Sequence, residues 1–149
     1  MARKQAVIEE PVIVKVGKCG EFEVTYRRFA GDEGPAAEFF GFVDGNRVKL
    51  LRFDDFKNDP HYHYHPDTPD DKKYSLDPVF FNTSRGLYLD FYDIMSELPA
   101  MVKAAGEPAL AKKIHRESSF GLNVQDVIDA MNQLRRQEQR KAKRKAAAK

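Results

Sequence analysis

Three of the chain's four histidines, His61, His63 and His65, fall within five residues and alternate with Tyr62 and Tyr64. Just upstream stand Arg52, Asp54 and Asp55. Histidine titrates near neutral pH and is the commonest metal ligand. An alternating run of this kind favours a strand, which places His61, His63 and His65 on one face and the tyrosines on the other. Histidines two apart on a strand lie roughly 7 Å apart at Cα, so two imidazoles can converge on one ion. The outer pair would be about 13 Å apart, so three cannot easily converge. A mononuclear site would therefore take two histidines and a nearby carboxylate, with His61, His63 and Asp54 as the candidate metal ligands and zinc, nickel or magnesium as candidate ions. A metal-free alternative uses the same residues. Two of His61, His63 and His65 would act as general acid and base in phosphodiester cleavage. Asp54 or Asp55 would orient an imidazole, and Arg52 would offset charge on the phosphorane. An alternating His/Tyr strand can also be an edge strand carrying nothing more than cross-strand pairs.

The elements that must position these residues are strands first and helices afterwards. Pro11 to Val16, Glu21 to Phe29, Glu38 to Val43, Arg47 to Phe53 and His61 to His65 predict about five strands. Asp44-Gly45-Asn46 predicts a tight hairpin between the third and fourth. Alternation slips at Leu50-Leu51, so either both faces are covered there or a bulge resets the register. A hairpin across the 55–60 loop would set Asp54 near His61, and Arg52 near His63 or Tyr64. Gly31 to Pro35 reads as a loop, and Pro66 to Pro78, with three prolines and four aspartates, as an exposed irregular segment. The aspartates at 70, 71 and 77 are weaker candidates for a magnesium or calcium site.

From about residue 90 the period becomes helical. Pro99 should split the first helix, and Gly106 should end it. Glu107 to His115 predicts a short helix. Asn123 is the expected N-cap of a last helix whose apolar stripe stops at Leu134. The fold class is α+β: an N-terminal antiparallel β-meander packed against C-terminal helices. One domain is expected over residues 7–132, with a basic helical or frayed tail over 133–149.

From Gln133 onward there are eight cations against Glu138 alone, a net +7 that leaves −5 for the rest of a chain whose total is +2. The tail residues Arg135, Arg136, Arg140, Lys141, Lys143, Arg144 and Lys145 are the candidate nucleic-acid contacts. The single cysteine, Cys19, excludes an internal disulfide and a cysteine-based zinc site. No apolar run approaches a membrane span, and no signal peptide is read at the N-terminus. A cytoplasmic location is the expectation.

The run LLRFDDF, a short polar loop and then PHYHYHPD resembles the TumE family of small bacterial toxins. The resemblance covers roughly residues 20–105. It implies a toxin of a toxin–antitoxin module that acts on RNA and is neutralised by an antitoxin protein. Asp54 or Asp55 would be the family's acidic residue, and His61 with His63, or His63 with His65, its histidine pair. The expectation is thus an RNA-acting protein, a ribonuclease with acid/base histidines. The alternative is a non-enzymatic interaction protein whose histidines are structural or hold a divalent metal. A homodimer formed by edge pairing of the histidine strand is a further option.

Overall fold

A computed structural model describes residues 6–8, 10–76 and 91–148. Its seven strands form one antiparallel sheet: β1 (Ala6–Val7), β2 (Val12–Val16), β3 (Gly20–Phe29), β4 (Asp32–Val43), β5 (Asn46–Asp54), β6 (His61–Tyr64) and β7 (Lys72–Ser75). The order is β1-β3-β4-β5-β6-β7, and β2 pairs with β3 on the same flank as β1. A helical stretch over residues 91–96 (α1) precedes α2 (Leu98–Ala104), α3 (Pro108–His115) and α4 (Phe120–Ala147). The α+β class holds. α1 and α2 are separated at Glu97, with Pro99 in the first turn of α2. Gly106, at φ 94°, ends α2 in the left-handed region open to glycine.

Strand alternation gives the sheet two unlike faces. Phe22, Val24, Ala37, Phe39, Leu51 and Phe53 point toward the helices and join Met95, Leu98, Ile114, Val127 and Met131 in one core. The opposite face carries a polar row across the strands: Glu23, Glu38, Arg52, His63 and Lys73 occupy successive register positions. The slip at Leu50-Leu51 is a bulge. Phe39 opposes Leu51 and Phe40 opposes Lys49, so Leu50 is the extra residue, and both leucines are buried. The bulge brings Lys49 onto the polar face with Arg52, and Lys49 pairs with Glu38 at 2.8 Å.

Several expectations need correction. The 31–35 loop is strand: the chain turns at Ala30 and Gly31, both at positive φ, and β4 begins at Asp32. Ala30 carries no turn signal, which hid a two-residue hairpin. The segment after Pro66 is not wholly irregular, because Lys72–Ser75 pairs with β6, and Tyr74 stacks on Tyr62 with centroids 5.3 Å apart. Four exposed residues without apolar alternation gave no strand signal. β6 therefore has β5 on one side and β7 on the other, and it offers no free edge for dimer pairing. The last helix starts at Phe120, with Ser119 rather than Asn123 at its N-cap. It runs unbroken to Ala147, and Leu134, Arg135 and Glu138 of the basic segment pack against the body.

Candidate metal centre

β5 and β6 pair so that Arg52 faces His63 and Asp54 faces His61. This is the register expected from the hairpin. Asp54, the last residue of β5, is wholly buried on the polar face. Its Oδ2 lies 2.9 Å from His61 Nε2 and 3.5 Å from His63 Nε2. The three ligand atoms offered by Asp54, His61 and His63 lie within 4.8 Å of one another. Arg52 donates from Nε to the same Oδ2 at 3.1 Å, and its Nη1 reaches Asp67 at 3.3 Å.

The far nitrogens of both rings are held as well. His61 Nδ1 lies 2.6 Å from the carbonyl oxygen of Asp59, and His63 Nδ1 lies 2.7 Å from Asp71 Oδ1. A carbonyl and a carboxylate can only accept, so each Nδ1 carries the proton. In the neutral ring that leaves the lone pair on Nε2, which in both rings faces Asp54. A lone pair set against a carboxylate oxygen is repulsive unless a proton or a cation stands between them. His63 Nε2 is buried without a hydrogen-bond partner.

The loops are built to fix these outer partners. Asp32, at the start of β4, accepts from the backbone N–H groups of Asn58 and Asp59, which ties the β5–β6 connection to the β3–β4 hairpin. Gly34 lets that connection pass close to β4, since a Cβ there would lie 2.1 Å from the carbonyl oxygen of Asp55. After β6 the chain folds back through His65 and Asp67, both in the left-handed region, at φ 49° and 64°. Thr68 Oγ1 donates to the His65 carbonyl at 2.7 Å, and the Asp67 N–H donates to Asp71 Oδ2 at 3.3 Å. Asp71 thus has one oxygen on the turn and the other on His63.

The electrostatics follow from burial and these partners. Burial alone would raise the Asp54 carboxyl, but the two imidazoles, when Nε2 carries a proton, and the Arg52 guanidinium outweigh it and hold the group well below the usual carboxylate range. Burial pulls Arg52 down, and the carboxylates of Asp54 and Asp67 more than restore it. A cleft of about 1050 Å³ opens beside the centre, with His61, His63, Arg52, Phe56, Asp59 and Asp71 among its walls.

Not every residue expected at the site is there. His65 leaves the strand at its positive φ, its N–H bonded to the Leu50 carbonyl, so it takes no part. Asp55 follows Asp54 but turns to the other side, where it meets Arg135 of α4. Burial pushes its carboxyl up to about 6 against the pull of that arginine. Arg135 is accordingly committed to Asp55, while Arg136, Arg140, Lys141, Lys143, Arg144 and Lys145 are exposed along α4. Asp71, weighed only as part of an acidic loop, proves to be the anchor of His63. Asp70 is exposed, and residue 77 lies outside the described residues. Cys19 is buried, and burial raises its thiol.

The model of a domain of unknown function, DUF7700, matches residues 14–131. The chain belongs to the DUF7700 family. The matched span begins within β2, includes β3 to β7 and all of the residues around Asp54, and ends within α4 before the cationic half of that helix. No curated protein and no solved structure matches the chain. Among the described residues, no helix is long and apolar enough to cross a membrane.

Proposed function

We propose that this DUF7700 protein is a metal-dependent hydrolase whose centre is one divalent first-row ion held by Asp54, His61 and His63. One observation carries this: two imidazole Nε2 atoms and a carboxylate oxygen converge while both Nδ1 atoms are pinned by acceptors. Ligand bonds of about 2.0–2.2 Å at angles between square and tetrahedral set neighbouring donor atoms roughly 2.8–3.6 Å apart. The two Asp54–histidine separations, 2.9 and 3.5 Å, lie in that range. Two nitrogens and one oxygen suit zinc, nickel or ferrous iron, whereas magnesium prefers an all-oxygen shell.

Three protein ligands leave a position for water, and a bound divalent ion lowers the pKa of that water into the neutral range. His61 and His63 line the cleft beside the centre, so an ion held between them and Asp54 would border the space a substrate could enter. Arg52 keeps Asp54 ionised, and Asp71 and the Asp59 carbonyl hold the ring tautomers that present Nε2.

A metal-free acid/base pair is less well supported. It needs an imidazole nitrogen turned to the substrate. His61 has both nitrogens engaged, and the second nitrogen of His63 is buried. Ribonuclease action remains compatible with the metal, which would replace the imidazole as the source of the nucleophile. The toxin setting rests on the motif resemblance alone. The test is hydrolysis of a panel of activated esters and phosphodiesters by zinc-loaded, nickel-loaded and chelator-stripped protein. Turnover should follow metal content and fall at least a hundredfold in His61→Ala. Equal turnover in the stripped protein would refute the proposal.

A further inference from the structure

A second cleft, of about 770 Å³, lies between the C-terminal half of α4 and the β3–β4 hairpin. Its lining carries five cations, Arg28 from β3, Lys57 from the β5–β6 connection and Arg135, Lys141 and Lys145 from α4, against three carboxylates, Glu33, Asp55 and Glu138. Ile8, Tyr26 and Phe56 supply apolar walls between them. Glu138, the one carboxylate from residue 133 onward, is buried in this cleft, 3.7 Å from Arg28 and 3.2 Å from Lys141.

The helix beyond it has an exposed surface of one sign. Residues 139–148 are all exposed and contain Arg140, Lys141, Lys143, Arg144 and Lys145, with no carboxylate. These ten residues rise about 15 Å. They contribute nothing to the core, so packing does not explain their charge.

We infer that this cationic half of α4 and the cleft beneath it bind single-stranded nucleic acid. The exposed charge of α4 complements a phosphate backbone, and the apolar walls of a cleft with a net positive lining suit an unpaired base, which has an apolar face to bury. A duplex keeps its bases stacked and would use the charge alone. A membrane surface is disfavoured, because interfacial helices need large apolar residues and this stretch has only alanines. Binding here does not depend on the metal proposal. The buried Phe56 lines both clefts, so this one lies across a single ring from the cleft beside Asp54. Phosphodiesters then become the natural substrate class for the centre.

The test is fluorescence anisotropy of a labelled 12-nucleotide RNA with the full chain, at several salt concentrations. The double variant Lys141→Glu/Lys145→Glu should bind about tenfold or more weakly, and its log–log salt slope should be shallower by about 1.4, as expected for two lost phosphate contacts. Lys103→Glu, an exposed change on α2, should bind as wild type, and circular dichroism checks that both variants are folded. Chelator-stripped protein should bind RNA as well as untreated protein, so a failure of the metal proposal leaves this result standing. The inference is overturned by absence of RNA binding at low salt, by unchanged affinity in the double variant, or by loss of binding on metal removal. Equal or tighter binding of the duplex form, or a preference for vesicles containing anionic lipid, would overturn it too.

Discussion

His61 and His63 are held by different kinds of acceptor, and this sets how each should respond to change. His61 Nδ1 donates to a backbone carbonyl, which no single substitution removes. His63 Nδ1 donates to the Asp71 side chain, which can be exchanged. Asp71→Ala should therefore leave all three ligands in place and weaken metal binding about 10–100-fold through a loosened ring. Competition with a chelating dye measures this; an unchanged affinity would show that Asp71 has no part in orienting His63. Arg52→Leu should destabilise the metal-free protein. It removes the N–H that shares Asp54 Oδ2 and leaves the Asp67, Glu38 and Asp54 carboxylates facing one another with less compensation. The expected loss is on the order of 3 kcal/mol or more, as for breaking a buried ion pair. Chemical denaturation of stripped protein reads it, and an unchanged midpoint would contradict it.

At the scale of elements, the site depends on one hairpin and one close approach. Gly34→Ala should drive a Cβ into the Asp55 backbone and displace the end of β5. A destabilisation of about 1–3 kcal/mol is expected, with overpacking as the cause, and the shift in denaturation midpoint checks it. The Asp54–His61 and Arg52–His63 register was legible because β5 and β6 both alternate and the connection is short. The bulge at Leu50 was legible as two adjacent leucines where one was due. Asp71 was not legible as the anchor of His63, because β7 has no apolar period and its four residues are recognised only by the strand they pair with. Asp55 was misplaced for a related reason. Sequence adjacency to Asp54 suggested a shared site, but neighbouring residues at a strand end point to opposite faces. That sent Asp55 to Arg135, 80 residues away.

For the whole molecule, the sheet separates two tasks. Its helix-facing side holds the apolar core, while its other side carries a paired network of carboxylates and cations around Asp54. Charge separation follows the same division: the body is net acidic, and the exposed end of α4 is basic. A metal that binds the folded chain and not the unfolded one stabilises it by mass action, about 2.7 kcal/mol at a hundredfold excess over the dissociation constant. The thermal midpoint should therefore rise by several degrees when zinc or nickel is added to stripped protein. The same addition should leave Asp54→Asn almost unmoved.

In the proposed centre Asp54, His61 and His63 together hold one ion. The most direct measurement is elemental analysis of purified wild-type and His63→Ala protein, with the fold of both checked by circular dichroism. About one equivalent of a first-row divalent metal per wild-type chain is expected after loading and desalting, falling below a tenth in His63→Ala. Wild-type protein that retains no metal after loading, or a variant that retains as much as wild type, would contradict it.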